Sequence, residues 1–192
     1  MRIAGVVLAG GRSNRMGGSD KAFATLRGEP LLTRAARRLQ AQVETLAVNS
    51  NTDPERLRAL GLPVLPDTMG GYPGPLAGIL AALEWAASRA DAVITVAVDT
   101  PFFPDDLVAR LAEGGVDQAA VAASDRLHPT FALWPTHIHE RLPCFLREDE
   151  KRRVTGFLDL IGYRTVEWPA LPRDPFFNVN TPADLAEAEA FA

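Results

Sequence analysis

The sequence contains one cysteine, Cys144, in 192 residues, and it has no long hydrophobic run. A single cysteine excludes an intramolecular disulfide and favours a reducing compartment. No apolar stretch approaches the roughly 20 residues that cross a bilayer. The short apolar start of the chain also lacks the small-residue cleavage site of a signal peptide. We therefore expect a cytoplasmic protein without a membrane partner.

The sequence also has no excess of basic residues. The formal net charge is −4 and the pI is about 5.4, whereas a nucleic-acid-binding face needs clustered lysine and arginine. Hydrophobic residues make up 47% of the chain and charged residues 23%, which are ordinary globular values. No low-complexity tract or linker divides the sequence. We expect one domain over residues 1–192 and no nucleic-acid partner.

Three familiar site motifs are also absent: the Walker A sequence, the Gly-x-Gly-x-x-Gly dinucleotide fingerprint and the Gly-x-Ser-x-Gly nucleophile elbow. Instead, a glycine-rich basic loop follows the apolar run at residues 3–7, and residues 8–21 read Leu-Ala-Gly-Gly-Arg-Ser-Asn-Arg-Met-Gly-Gly-Ser-Asp-Lys. Glycines let main-chain N–H groups surround an anion, and Arg12, Arg15 and Lys21 supply positive charge. The loop is predicted to bind phosphates, with Lys21 exposed on it and facing a triphosphate.

Strand and helix patterns alternate along the chain. Strand patterns occur at residues 3–7, 45–48, 63–65, 92–98, 118–123, 129–134 and 163–168. Helix patterns occur at residues 31–43, 54–60, 76–88, 104–113, 136–146 with an interruption at Pro143, 154–161 and 185–191, the last after a capping sequence at 181–184. This alternation predicts an α/β protein with βαβ units. We expect a three-layer, Rossmann-like arrangement in which helices cover both faces of a mostly parallel central sheet.

Polar residues stand at the carboxyl ends of three predicted parallel strands, namely Asn49, Asp67 and Asp99. Each alone would also suit a helix cap or an Asx turn. Because ligands of open α/β sheets bind outside the carboxyl ends of the strands, the three together with the glycine-rich loop predict a ligand crevice. Asp99 ends the most apolar strand and is the candidate ligand for Mg²⁺, which takes one or two protein carboxylates and completes its shell with phosphate and water.

The glycine-rich loop resembles the signature of nucleotidyltransferases, and most closely that of the molybdenum cofactor guanylyltransferase family. The pattern Leu-Ala-Gly-Gly-x-Ser-x-Arg-Met-Gly-Gly-x-Asp-Lys is met without a gap, whereas related cytidylyltransferases usually carry Leu-Ala-Ala-Gly. Further segments that resemble the family lie at 74–79, 98–102, 128–134, 152–154 and 177–182. The resemblance implies the nucleotidyltransferase fold. It also implies transfer of GMP from GTP to the phosphate of molybdopterin, with Mg²⁺ as cofactor and pyrophosphate as the second product.

The same resemblance implies roles for individual residues. The nucleotide-binding positions are Leu8, Ala9, Gly10, Gly11, Lys21, Asn49, Asp67 and Asp99. The catalytic positions are Arg15, Lys21 and Asp99, with the metal on Asp99, and molybdopterin is assigned to Arg152, Arg153, Asn178 and Asn180. The nucleotide then belongs to the N-terminal half and molybdopterin to the C-terminal half. Other cofactor-biosynthesis proteins and apo-molybdoenzymes are the further partners that it implies.

Several alternatives stay open at this point. A CTP-dependent molybdopterin cytidylyltransferase, a sugar-phosphate nucleotidyltransferase and a non-catalytic cofactor-delivery module are the rival functions, although Asp99 and Lys21 speak against the last. Asp67 is the candidate that reads the guanine edge, because a carboxylate can accept from both N1–H and the N2 amino group. The basic run at 151–153 also suits a solvated helix start.

Overall fold

The structure is a computed structural model that describes residues 1–10, 21–52, 54–69, 74–149 and 151–190. Gly11, Arg15 and most of the glycine-rich loop lie outside these residues, as does most of the loop that was predicted as one wall of a base pocket at 70–75. In the described part, a seven-stranded sheet carries helices on both faces. The predicted α/β class and mostly parallel sheet are confirmed.

The strands, in chain order, are β1 (Ile3–Leu8), β2 (Thr25–Leu26), β3 (Glu29–Pro30), β4 (Thr45–Asn49), β5 (Val64–Leu65), β6 (Ala92–Ala97), β7 (Ala119–Ala123), β8 (Leu127–Pro135) and β9 (Tyr163–Glu167). The helices are α1 (Leu31–Gln40), α2 (Pro54–Leu57), α3 (Pro75–Ala86), α4 (Leu107–Ala112), α5 (Arg141–Glu148), α6 (Val154–Ile161) and α7 (Pro182–Glu189). None of the described helices is long and apolar enough to cross a membrane.

The order of the strands in the main sheet is β5-β4-β1-β6-β8-β7-β9. Strands β5, β4, β1 and β6 run parallel, β8 runs antiparallel to both of its neighbours, and β9 is parallel to β7. From β1 the chain adds β4 and β5 on one side and β6 on the other. The strand order therefore reverses at β1, and a crevice forms outside the carboxyl ends of such strands.

The sheet separates two apolar layers. Alternate residues of each strand face opposite layers, so that Val7 belongs to the layer that includes α1 and α4, and Val6 to the layer that includes α3, α5 and α6. Both side chains are fully buried, as is Trp134, whose indole N–H donates to Thr95 Oγ1 at 2.9 Å. Burial on both faces explains why the central strands are nearly continuous apolar runs.

Some predicted boundaries differ from the structure. Helix α4 begins at Leu107, three residues later than predicted, because Pro104 and the two aspartates after it form a turn. The helix predicted at 136–146 is a 3₁₀ turn at Thr136–Ile138 followed by α5, so the interruption comes before Arg141 and not at Pro143. Pro143 lies in the first turn of α5, where the missing N–H has no helical partner to lose.

A small hairpin, formed by β2 and β3, was not predicted from the sequence. Its two-residue turn places Arg27 at φ 48° and Gly28 at φ 80°. Positive φ at both central residues is the geometry of a type I′ turn, whose usual sequence signals are Asn-Gly and Asp-Gly. Arg-Gly gives no such signal because arginine rarely adopts positive φ.

Candidate active site

Lys21, Asp99 and Asn180 meet just beyond the carboxyl end of β6. Lys21 Nζ lies 2.7 Å from Asp99 Oδ2 and 2.6 Å from Asn180 Oδ1. The lysine is only 9% exposed, so the prediction that it is an exposed loop residue was wrong. Its ammonium group tolerates burial because a carboxylate and an amide oxygen replace water around it.

The segment from Asn178 to Asn180 crosses the end of β6 and is fixed there by hydrogen bonds. The main-chain N–H of Val179 donates to the carbonyl oxygen of Asp99 at 2.7 Å. The Thr100 hydroxyl donates to Asn178 Oδ1 at 2.6 Å. Val179 is fully buried, which anchors the segment between the two asparagines. Both asparagines are therefore held beside Asp99.

The start of α7 holds Asn180 from the other side. Asp184 Oδ2 accepts hydrogen bonds from the main-chain N–H groups of Asn180 and Thr181, each at 2.8 Å, and Thr181 Oγ1 accepts from the Asp184 N–H at 3.1 Å. The bond from Asn180, together with those from Thr181, lowers the pKa of Asp184 below its ordinary value. The capping sequence predicted at 181–184 is a capping box, and it fixes the backbone of Asn180.

On the opposite side of β1, Asn49 and Asp67 form a second polar group. Asn49 Nδ2 donates to Asp67 Oδ1 at 2.9 Å and to the carbonyl oxygen of Leu65 at 3.0 Å. Asn51, which the sequence analysis did not single out, donates from Nδ2 to Asp67 Oδ2 at 2.8 Å and accepts from the Asp67 N–H at 3.0 Å. The Asp67 carboxylate is thus oriented by two amides and keeps further acceptor sites on both oxygens.

Gly78, in α3, is required for this arrangement. A Cβ at this position would stand 2.3 Å from Asn49 Oδ1 and 3.1 Å from Leu8 Cδ2. Asn49 is 2% exposed and has no free space into which to move without breaking its hydrogen bonds. A glycine in the first turn of α3 therefore lets the helix approach the strand end.

If the nucleotide binds on this side of β1, as predicted from the sequence, Gly78→Ala should displace Asn49, break the Asn49–Asp67 bond and weaken nucleotide binding by about 10-fold or more. Isothermal titration with GTP measures the change. Ala81→Gly, which also alters a buried small residue of α3, is the control for general loosening of the helix. Unchanged GTP affinity in a folded Gly78→Ala protein would show that the Asn49 position does not matter for the nucleotide.

The predicted loop residues Leu8, Ala9 and Gly10 follow the end of β1. The Leu8 and Ala9 side chains are buried on opposite faces of the sheet, and the Ala9 N–H donates to the Asn49 carbonyl oxygen at 2.8 Å. Gly10 is exposed, and a Cβ there would lie 3.2 Å from Asn49 Oδ1. These residues can offer a ligand main-chain groups and a close approach, but no functional side chain.

A cleft of about 530 Å³ lies next to Asn178 and Asn180 and extends toward the start of β8. Its polar walls include Arg126, His128 and Asp174, and its apolar walls are contributed by Leu127, Pro129, Phe131 and Phe177. Arg152 and Arg153 are not among the described residues that line it. They lie between α5 and α6, with Arg152 half-buried at φ 45° and Arg153 exposed.

Asp125, His128 and Asp174 are functional candidates that the sequence analysis did not identify. One ligand-type atom of each lies within 4.8 Å of the others, and this is a group in the described chain that could hold a metal ion. Asp125 and His128 are 3 positions apart along the chain, and His128 and Asp174 are 46 positions apart, so no local sequence motif reveals the group. His128 belongs to a segment that resembles the family, but the two aspartates gave no signal on their own.

The mostly parallel sheet has its switch point at β1, and acidic and amide oxygens lie at the adjacent strand ends, an arrangement that can bind a nucleotide and a cation. The family described as "MobA-like NTP transferase domain" matches residues 5–161. The chain belongs to this family, as the loop signature predicted. The class of enzyme expected from the sequence is confirmed.

Named relatives agree with this assignment. A protein of Mesorhizobium japonicum called molybdenum cofactor guanylyltransferase is 48% identical over 195 residues, covering 97% of this chain and 94% of that protein. The solved structure of molybdopterin-guanine dinucleotide biosynthesis protein A from Archaeoglobus fulgidus superposes with a TM-score of 0.75 at 24% identity, covering 97% of each chain. A Mycobacterium tuberculosis protein, solved in complex with manganese, gives a TM-score of 0.75 at 18% identity and full coverage. At such identities the two structures establish the fold alone.

Proposed function

We propose that this chain transfers GMP from GTP to the phosphate of molybdopterin, forming the guanine dinucleotide cofactor and pyrophosphate. The observation that carries the proposal is the convergence of Lys21, the last residue of the glycine-rich sequence, with Asp99 and Asn180 beyond the end of β6, next to the switch point at β1. Relatives of nearly the same length that share 48% of its residues are named for this activity. The whole chain from 1 to 192 acts as one domain in this proposal.

The metal in the proposal is Mg²⁺, and the donor atoms beyond the end of β6 suit it. Asp99 Oδ2 and Asn180 Oδ1 lie 2.7 and 2.6 Å from one positively charged nitrogen, so two hard oxygens already converge on a single cation. Mg²⁺ prefers oxygen ligands and uses few protein groups when phosphates are present. When bound, it would supply charge neutralisation for the triphosphate and the leaving pyrophosphate.

Lys21 would then leave the two oxygens and pair with the phosphates of the nucleotide. Its four-carbon stem allows this movement, and before the nucleotide binds the same ammonium group pairs with Asp99 and Asn180. Arg15 in the glycine-rich loop would add charge to the same phosphates. The attacking group is a phosphate monoester that is already anionic at pH 7, its second pKa being about 6, so no general base is required.

The nucleotide would occupy the side of β1 that carries Asn49 and Asp67. Leu8, Ala9, Gly10 and Gly11 would contribute main-chain groups next to the sugar and phosphates. Asp67 is the proposed reader of the guanine edge, since its carboxylate is oriented by Asn49 and Asn51 and retains acceptor sites. Molybdopterin would lie on the other side, in contact with Asn178 and Asn180, with Arg152 and Arg153 near its phosphate. Product delivery to apo-molybdoenzymes completes the proposal.

GTP with Mg²⁺ is expected to raise the melting temperature far more than CTP or ATP with Mg²⁺ does. A site that hydrogen-bonds a base edge can reject a base that lacks those donors by up to about 10⁴-fold. Differential scanning fluorimetry with a panel of nucleotides measures this, with free Mg²⁺ as the control. Equal shifts for GTP and CTP would contradict guanine selection and favour the cytidylyltransferase alternative.

The double variant Arg152→Ala, Arg153→Ala is expected to raise the KM for molybdopterin by about 10-fold, because each guanidinium–phosphate bond contributes roughly 1 kcal/mol or more. The KM for GTP should stay close to wild type. Arg58→Ala with Arg89→Ala removes two exposed guanidinium groups outside the cleft lining and is the matched control for net charge. A loss of GTP affinity in the Arg152 and Arg153 variant would move this basic pair to the nucleotide side.

A further inference from the structure

The cluster of Asp125, His128 and Asp174 borders the cleft and shares no residue with the Lys21–Asp99–Asn180 group. His128 and Asp174 line the cleft together with Asn178 and Asn180. No step of the transfer proposed above uses these three side chains. The cluster therefore needs an explanation of its own, and the geometry of its members indicates what they bind.

His128 is packed among its neighbours, and its neutral form is favoured. Its ring is 6% exposed and stacks on Phe176 with 4.4 Å between the ring centres. Nε2 lies 2.7 Å from Ser124 Oγ, which in turn lies 3.2 Å from Asp125 Oδ1. Burial lowers the pKa of His128 below its ordinary value, and the nearby carboxylates oppose this only in part. If Ser124 donates to Asp125, then Nε2 carries the proton and Nδ1 is an acceptor.

Asp174 is oriented by the main chain rather than by a cation. Its Oδ1 accepts a hydrogen bond from the Phe176 N–H at 2.9 Å, and the side chain is half-buried in the cleft wall. A carboxylate has about four acceptor positions, so one main-chain bond leaves most of them open. His128 and Asp174 thus both offer acceptor atoms in the cleft wall, which Arg126 also lines.

The spacing of the cluster admits a hydrogen-bond donor group. The ligand-type atoms lie within 4.8 Å of one another, and among the described residues no hydrogen bond or ion pair joins His128 directly to either carboxylate. Two hydrogen bonds of about 2.8 Å that meet at an N–H₂ group leave their acceptors about 4.8 Å apart. An amino group therefore fits between these acceptors.

The second substrate of the proposed function carries such a donor edge. A pterin ring presents a ring N–H beside an exocyclic amino group, which together match the two oxygens of a carboxylate. The walls formed by Leu127, Pro129, Phe131 and Phe177 suit a flat heterocycle. We propose that Asp174 hydrogen-bonds the ring N–H and amino group of the pterin, and that His128 and Asp125 accept the remaining amino hydrogen. This inference rests on the proposed function.

Guanine offers the same donor edge as pterin. The position of the cleft relative to Asn49 and Asp67 therefore indicates which of the two rings it binds. Asn49 and Asp67 lie on β4 and after β5, on one side of β1, whereas the cleft lies beside β8 and the segment at 174–180, on the other. Asn180 belongs both to the cleft wall and to the Lys21–Asp99 group. The phosphates of both substrates can therefore meet there while the two rings extend in opposite directions.

The test uses pterin (2-amino-4-oxopteridine) and lumazine (2,4-dioxopteridine). In lumazine an oxygen replaces the amino group at C2 and N1 becomes an N–H donor, so the adjacent pair of donors formed by the ring N3–H and the amino group is lost. Binding to the full chain is measured by fluorescence quenching. Wild type is expected to bind pterin at least 10-fold more tightly than lumazine. In Asp174→Asn one acceptor becomes a donor, so this preference should disappear, and the KM for molybdopterin should rise about 10- to 100-fold with kcat and the KM for GTP unchanged.

The amide oxygen that Asp174→Asn introduces can still accept from the Phe176 N–H, so this variant keeps the local fold, and thermal unfolding confirms this. Asp159→Asn, an exposed carboxylate on α6, is the matched control. Equal binding of pterin and lumazine to wild type, no saturable binding of either, or an unchanged preference in Asp174→Asn overturns the inference. So does a loss of GTP affinity, which would place guanine in the cleft.

Mn²⁺ titration separates a cation site from a pterin site. Paramagnetic Mn²⁺ that binds the free protein, competes with pterin and is lost in Asp174→Asn but retained in Asp99→Asn would overturn the inference in favour of a metal. Failure of the proposed function looks different: GTP and molybdopterin would then give no pyrophosphate although pterin is still preferred over lumazine. That outcome would support the pterin subsite and contradict the proposed transfer reaction.

Discussion

Asp99→Asn is expected to reduce Mg²⁺-dependent GMP transfer by about 10²- to 10⁴-fold. The substitution keeps the size of the side chain and an oxygen that can accept from Lys21, but it removes the negative charge that a hard cation requires. A metal ion in such a site supplies several kcal/mol of transition-state stabilisation, and each 1.36 kcal/mol is about tenfold in rate. Pyrophosphate release under saturating GTP and Mg²⁺ measures the loss.

The effect of Asp99→Asn on binding should be opposite to its effect on rate. Metal-free GTP is expected to bind as well as before or somewhat more tightly, because one negative charge near the triphosphate has gone. The protein should fold, since Asp99 faces the crevice and its side chain is 22% exposed. Asp117→Asn, an exposed carboxylate outside this group, is the control. A wild-type rate and Mg²⁺ dependence would move the metal to another carboxylate.

Lys21→Ala should have the second-largest effect, slowing transfer by about 10²- to 10³-fold, the usual cost of removing one donor that stabilises developing charge. The buried pair with Asp99 adds a consequence that an exposed lysine would not have. Without the ammonium group, Asp99 Oδ2 and Asn180 Oδ1 remain as two oxygens with no cation between them. The free protein should therefore bind Mn²⁺ more tightly than wild type, although turnover falls.

Two measurements on the same Lys21→Ala preparation test these effects. A pyrophosphate-release assay gives the loss of turnover, and a Mn²⁺ titration gives the change in metal affinity. The matched control is Arg89→Ala, which removes an exposed cation on the surface of the chain at the end of α3. Thermal unfolding should show a lower melting temperature for Lys21→Ala, because the Asp99 carboxylate loses its partner. Near-normal pyrophosphate release would contradict the role assigned to Lys21, whatever the metal affinity.

Local signals in the sequence predicted much of the fold and the place of Asp99. The apolar run of β6 is followed by a carboxylate, and the carboxyl ends of parallel strands share one edge of the sheet. The position of Asp99 at that edge could therefore be predicted from the sequence. The capping box of α7 could also be predicted from the sequence, because Thr181, Pro182 and Asp184 lie close together in the chain.

Long-range pairings could not be predicted in this way. Lys21 and Asn180 are 159 residues apart, and only the folded sheet brings them together, which is why a loop lysine proved to be buried. Asn51 hydrogen-bonds to Asp67, and His128 lies near Asp125 and Asp174. Neither group has a fixed spacing that a pattern could reveal. Resemblance located the segments that carry Lys21, His128 and Asn180, but not their contacts. It did not indicate Asn51, Asp125 or Asp174.

The most direct test of the central claim is a single assay of pyrophosphate release, with the nucleotide product identified by mass, for the protein mixed with Mg²⁺, molybdopterin and either GTP or CTP. We expect rapid release with GTP and a product whose mass is that of molybdopterin joined to GMP, and release slower by a factor of at least about 10² with CTP. Equal or faster product formation with CTP, or no pyrophosphate with GTP, would contradict the assignment.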